Sequence, residues 1–438
     1  IAPPRLNPSS CPHDLTAFGD RLLFVVRDVD HGEELWISDG TDAGTLLLVD
    51  MKAGPESSSP DMLTRVGSHV LFAAEAENTG RELWVTDGTR EGTRLLRDLR
   101  EGPESSSPQQ AVVIRDMLYF TADHGASGRR VWRSDGTPEG TTPLKAPALY
   151  VQDPNVVVPF EQFGRMYLYL DRENRKLSLW RMDSDALVAV DISPQKLTEI
   201  VDALGVNAEG KSGEQGIHGA EDLLAPIVRP YSTDPGGGGT AIMDGITYFA
   251  LRTDEFGTEL WKTDGTLDNT SLVCDAYPGP VSSSPTMLTV VDGFLFFAAD
   301  HPREGRILWR SEGGPKTTRE VRPHSTGFQW PPLSPREMTH FLGNLAVASV
   351  QPSRASQGGP GIGIVLPPGS GEEYLPVFCT EVGRDIYPRQ LTPVDSHLFF
   401  SYDDGTYGEE LWVTDGTLQN THIVKDILGP EDLSSIDK

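Results

Sequence analysis

Large apolar residues fall along this chain in short clusters separated by turn-forming residues roughly every 8 to 12 positions, a spacing that predicts strands rather than helices. In the most regular stretch, residues 60–66 form an opening Pro-x-x-Leu-Thr segment, 70–74 an aromatic one, 82–86 a Leu-Trp one and 93–99 a closing one. Neighbouring side chains on a strand point to opposite faces. Leu83 beside Trp84 therefore predicts a sheet covered on both sides, as happens when each sheet is packed between two others.

The pattern repeats. Glu34-Leu35-Trp36-Ile37-Ser38-Asp39-Gly40-Thr41 returns as Glu82-Leu83-Trp84-Val85-Thr86-Asp87-Gly88-Thr89, and the tryptophans at 36, 84, 132 and 180 are each 48 residues apart. The phase resumes at Trp261 and Trp309 and ends at Trp412; between the last two, Val365 is expected in the tryptophan slot. The expected fold is all-β: one domain, an eight-bladed β-propeller of four-stranded antiparallel blades (12–55, 60–103, 108–149, 154–192, 237–279, 285–322, 334–382 and 388–428) with one short helical insertion, 193–236. The Asp-Gly-Thr turn is expected to join strands three and four, with Asp87 accepting backbone N–H bonds and Gly88 at positive φ. Asp426 to Glu431 and Asn7 to Pro12 read as two halves of one interblade linker, so the ring is expected to close where the termini meet, without an exchanged strand.

The net charge of -27 excludes a nucleic-acid role, since phosphate affinity comes from Lys and Arg. It suits an extracellular medium. No apolar run approaches the roughly 20 residues that span a bilayer, so membrane insertion is not expected. Cys11, Cys274 and Cys379 have neither metal-ligand spacing nor the density of a disulfide scaffold. The chain opens on Ile1 rather than Met and is expected to be a trimmed product. The Glu-Leu-Trp-x-x-Asp-Gly-Thr units, with Gly-Thr-x-Leu-Val-x-Asp-Ile and Pro-Gly-x-x-Ser-Ser between them, resemble a family of bacterial secreted ELWxxDGT-repeat proteins. The resemblance covers nearly the whole chain outside 193–236 and is specific in blades 1, 2, 5 and 8. It implies a propeller and export, to the periplasm, cell surface or medium, and it brings no catalytic motif.

Binding residues are expected where the scaffold is irregular, on the face shared by the interblade linkers and the loops between strands two and three. After blade 4, Ser193-Pro194 starts an amphipathic helix with Leu197, Ile200, Val201 and Leu204 on one side, followed by a lid or plug that carries His218 and Tyr231. The linker into blade 7 supplies His324, Phe328, Gln329 and Trp330, then Arg336 and Glu337; the linker into blade 8 supplies Arg384, Tyr387 and Arg389; blades 1 and 2 supply His13, Asp14 and Asp61. Aromatics among Arg, His and carboxylates suit a polar small molecule, a peptide or a glycan.

Three function classes follow. The first is a secreted, monomeric binding propeller with a pocket under 193–236. The second is a hydrolase or lyase with His324 or His13 as acid/base, Glu337 or Asp14 as partner, and Arg336 or Arg389 on an anion. The third is a Ca²⁺-dependent adhesion or matrix protein using acidic loops such as those of Asp28, Asp30, Glu75 and Asp123, although no stretch forms a complete calcium loop. No cofactor is expected, with calcium the one alternative left open by the acidic loops, and no docking repeat for a quinone cofactor is present.

Overall fold

The structure, a computed structural model, describes residues 9–114, 116–125, 128–144, 158–162, 165–170, 178–183, 186–190, 240–264, 269–322, 324–325, 328–329, 333–350, 361–366, 374–379 and 387–428. Among these there are eight four-stranded antiparallel sheets, each a meander with strands in sequence order, plus a two-stranded hairpin, His324–Ser325 with Phe328–Gln329. The sheets span 13–49, 61–97, 109–143, 158–190, 241–274, 286–320, 334–379 and 389–425, blade-like meanders of an all-β, propeller-type fold. The expected insertion 193–236 lies outside the described residues.

The chain divides into two compact units: residues 1–191 with 394–415 and 422–438, and residues 192–393 with 416–421. In the first, Leu23, Leu35 and Ile37 of blade 1 pack on Val70, Phe72 and Ala74 of blade 2, with Trp84 alongside. Leu71, Leu83 and Val85 then pack on Leu118, Phe120 and Trp132 of blade 3. Blade 8 meets blade 1 in the same way, Phe399, Leu411 and Val413 against Leu22, Phe24 and Trp36. In the second unit Leu260 joins Leu295, Phe297 and Trp309, and Phe296 and Leu308 join Leu345, Val347 and Val365. The repeat's Leu thus lies on the seam that holds the next blade's Trp. Each buried Phe or Leu there contributes about 1.5–3 kcal/mol, which explains why Leu and Trp recur together.

The repeat's glutamate has a separate task. Glu34, Glu82, Glu259 and Glu410 are fully buried. Glu82 accepts the Ser106 N–H and hydroxyl, both at 2.7 Å, and the Leu99 N–H at 2.8 Å. Glu34 takes the same groups from Ser58 and Met51, and Glu259 from Ser283 and Ala276. One carboxylate therefore fastens the end of its own fourth strand and the serine that leads into the next blade. Glu410 does this with Ile427 and with Ser10, near the start of the chain. Residues 10 and 427 are thus held on one carboxylate, a contact of the kind expected between the two linker halves. Blades 3, 4, 6 and 7 carry Arg130, Ser178, Ile307 and Gly361 at this position, and the irregular linkers follow those blades.

The Asp-Gly-Thr segments are turns. Asp87 Oδ1 accepts the Thr89 N–H at 2.9 Å and its hydroxyl, and Gly88 has φ 81°. Asp39 with Thr41 and Asp135 with Thr137 repeat the arrangement. Linkers also cross the loops between strands two and three as expected: a Cβ on Gly32 would sit 2.9 Å from the Pro55 and Glu56 carbonyl oxygens.

One register expectation is corrected. Val365 pairs with Leu345 and Gly363 with Val347, whereas Trp36 pairs with Phe24 and Ser38 with Leu22. Gly363, not Val365, occupies the tryptophan slot. The run Gly361–Val365 is buried throughout and has no polar residue to mark its phase, so only the hydrogen-bonded register fixes it.

Candidate functional site

In blades 1, 2, 3, 6 and 8 a Pro and two variable residues open the first strand, and the second of them bends it. Asp14, Met62, Gln110, Met287 and Gln390 all have φ between 52° and 61°, and register shifts accompany them at His13/Thr16, Asp61/Thr64 and Thr286/Thr289. Such bulges re-aim side chains. A second variable position, the residue before the repeat's glutamate slot, holds Glu33, Arg81, Arg129, Thr258, Arg306 and Glu409 in blades 1, 2, 3, 5, 6 and 8.

In the first unit these positions build a charged cluster. His13 Nε2 lies 3.2 Å from Glu33 Oε1, and its Nδ1 lies 3.8 Å from Asp14 Oδ2. Hydrogen bonds to Asp14 and Glu33 outweigh partial burial and raise the His13 pKa to about 9, so the ring is an imidazolium at neutral pH. His13 in turn holds the Glu33 carboxyl below its ordinary range. Asp61, ion-paired with Arg81, is raised, because burial outweighs the guanidinium's pull. The expected residues His13, Asp14 and Asp61 are thus joined by two that the sequence reading passed over, Glu33 and Arg81. Their signal was available: their position varies while the glutamate after it recurs.

Arg81 is also structural. It donates to the Ser59 carbonyl at 2.7 Å and to Ala73 O. Arg129 does the same at Ser107 and Thr121, and Arg306 at Ser284 and Ala298. Ser59, Ser107 and Ser284 have φ of 44°, 46° and 49°. That left-handed conformation is unfavourable for a residue with a Cβ, and the guanidinium anchors it.

In the second unit, Glu337 is buried and its Oε2 accepts the Leu391 N–H at 3.0 Å, tying the first strand of blade 7 to that of blade 8. Burial raises its carboxyl, against the pull of the Gln390 and Leu391 N–H groups and Arg389. Arg336 and Arg389 are both exposed, and their guanidinium carbons lie 5.8 and 5.2 Å from the centroid of the Tyr387 ring. The His324 backbone lies in the two-stranded hairpin. His218, Tyr231, Trp330 and Arg384 lie outside the described residues.

Among the described residues no group of three or more His, Cys, Asp or Glu side chains is placed to hold a metal ion. The acidic loops have protein partners: Asp28 accepts from the backbone of Asp30 and His31, Glu75 pairs with Lys52, and Asp123 with Arg100. No described helix is long and apolar enough to cross a membrane.

No protein-family description and no curated protein matches the chain. Solved structures do. They include one from a study of two prolyl endopeptidases (11% identity, 90% of this chain and 54% of that one, TM-score 0.45) and puromycin hydrolase (13%, 90% and 58%, 0.41). The β-propeller domain of the Trilobed protease from Pyrococcus furiosus also matches (13%, 70% and 96%, 0.31). The chain spans little more than half the length of the first two.

Proposed function

We propose that this protein is a secreted binding propeller of the ELWxxDGT-repeat kind, which holds a polar small molecule, peptide or glycan against the charged residues of its first strands and leaves it chemically unchanged. The observation that carries this reading is the cluster of His13, Asp14 and Glu33, with Asp61 and Arg81 on the next blade. A general base has to be unprotonated at working pH. His13 lies between the Asp14 and Glu33 carboxylates, which engage both of its ring nitrogens and keep it an imidazolium up to about pH 9, so it is a fixed element of a charged surface rather than a group free to take a proton from a substrate. Of the two carboxylates expected to partner an acid/base histidine, Glu337 is buried and accepts the Leu391 N–H, and Asp14 lies beside the imidazolium of His13.

The remaining repeat residues support the same division of labour. Leu and Trp fill the seams, Glu fastens the linkers and Asp-Gly-Thr makes the turns. Variation is left to the positions of His13, Asp14, Glu33 and Asp61. Glycan and peptide arrays probed with the purified protein, followed by mass spectrometry of each bound compound after prolonged incubation, test the proposal. Bound compounds recovered intact, with binding lost in a His13→Ala/Asp61→Ala double variant, are expected. Turnover of a bound compound that His13→Ala abolishes would overturn it.

A further inference from the structure

We propose that Arg336, Tyr387 and Arg389 form an oxyanion subsite that takes a carboxylate or sulfate carried by the ligand. The proposal names the ligand class for the binding role above and rests on that role.

The contrast among the arginines carries it. Arg81, Arg129 and Arg306, from third strands, are consumed by linker and strand carbonyls, and Arg81 and Arg306 also by Asp61 and Asp300. Arg336 and Arg389 come instead from the residue after Pro335 and Pro388, where blades 1, 2, 3 and 6 place His13, Asp61, Gln109 and Thr286. Both are exposed, and no carboxylate or carbonyl among the described residues receives either one. In a chain of net charge -27, two exposed guanidiniums at one tyrosine ring that no described carboxylate ion-pairs, the buried Glu337 acting on Arg389 only through its field, are a local exception.

Their geometry suits an anion. Each guanidinium carbon lies within 6 Å of the same Tyr387 centroid, so one ring supports both cations through its face. The two positive charges repel each other, and a shared anion relieves that repulsion. Planar guanidinium forks match the oxygens of carboxylate and sulfate. The spacing is set by the backbone, because the buried Glu337 carboxyl binds the Leu391 N–H and joins the two strands that carry the arginines. Glu337 is therefore a positioning residue, and a pair held in place before the ligand arrives loses less entropy on binding.

Calorimetric titration of the full chain with glucuronate in one arm and glucose 6-sulfate in another tests the subsite, and the tighter arm identifies the group it prefers. Saturable binding is expected, weakened roughly tenfold or more by Arg336→Ala or Arg389→Ala. Arg389→Lys should fall between, since an ammonium keeps the charge and loses the fork. Arg65→Ala, at an exposed arginine elsewhere, should bind as the wild type does. No saturation in either arm, or equal binding by the Arg336→Ala/Arg389→Ala variant, would overturn the subsite. If array ligands prove neutral and indifferent to that double variant, the anionic ligand class falls and the binding role stands. If the anions bind through these arginines while no array ligand binds at all, the subsite stands and the wider role falls.

Discussion

Glu410 holds Ser10 by the same pair of contacts through which Glu34 holds Ser58: the serine N–H on one carboxylate oxygen and its hydroxyl on the other. Ser10 therefore stands to blade 8 as Ser58 stands to blade 1. The Ser10 carbonyl then accepts the Arg27 N–H, as the Ser58 carbonyl accepts that of Glu75.

Removing the carboxylate should cost far more than removing the serine. Glu82→Ala leaves two backbone N–H groups and a hydroxyl without their acceptor, and each buried orphan costs about 1–3 kcal/mol. A loss of roughly 3 kcal/mol or more is expected for Glu82→Ala, and about 1 kcal/mol for Ser106→Ala. Urea denaturation of both variants checks the order.

Stability should fall as pH rises. Burial pushes Glu34 and Glu82 up to about 7 and Glu410 to about 8, from an ordinary 4.5. Between the two values the native state keeps protons that the unfolded chain has lost. Each such glutamate thus contributes fully at and below about 4.5 and loses its contribution as pH rises through 7 to 8. His13 acts in the same direction, its stabilisation complete below 6.5 and lost through about 9. The melting temperature should be several degrees higher near pH 5 than near pH 9, and Glu410→Gln should flatten the slope.

Two glycines of one repeat should respond differently to alanine. A Cβ on Gly92 would lie 2.0 Å from Asp87 Oδ1, so Gly92→Ala must break open the Asp-Gly-Thr turn. Gly102 has φ +106° but nothing within 4 Å, so Gly102→Ala carries backbone strain alone, about 1–2 kcal/mol. Thermal unfolding should rank Gly92→Ala as the more damaging.

The imidazole of His13 should titrate in the native protein near pH 9, and Glu33→Gln should move its midpoint down by removing one of the two carboxylates that raise it. A two-dimensional NMR titration of the histidine rings measures both.

The propeller architecture was legible because Leu-Trp and Asp-Gly-Thr recur at fixed spacing, and each has one structural use. The glutamate fastening was legible as well, though only through a relation between distant segments. Glu34, Glu82 and Glu259 each precede a Ser-Ser-Ser linker, and blades 3, 4, 6 and 7, with no glutamate there, do not. Blade 7 misled by two residues because Gly361–Val365 is apolar throughout, and strand pairing rather than composition sets its phase. At the site, His13, Asp14 and Asp61 were named from their place beside a linker. Glu33 and Arg81 escaped because bulged first strands bring them to their partners, and a bulge is a matter of φ and ψ that those residue types do not announce.

Hydrogen–deuterium exchange with and without a ligand found on the arrays tests most directly whether variable first-strand positions, rather than the repeated motif, bind. Added protection in the first strands, His13–Phe18 and Asp61–Val66 foremost, with the Asp-Gly-Thr turns unchanged, is the predicted result. Protection confined to the turns at Asp39, Asp87 and Asp135, with the first strands unaffected, would contradict it.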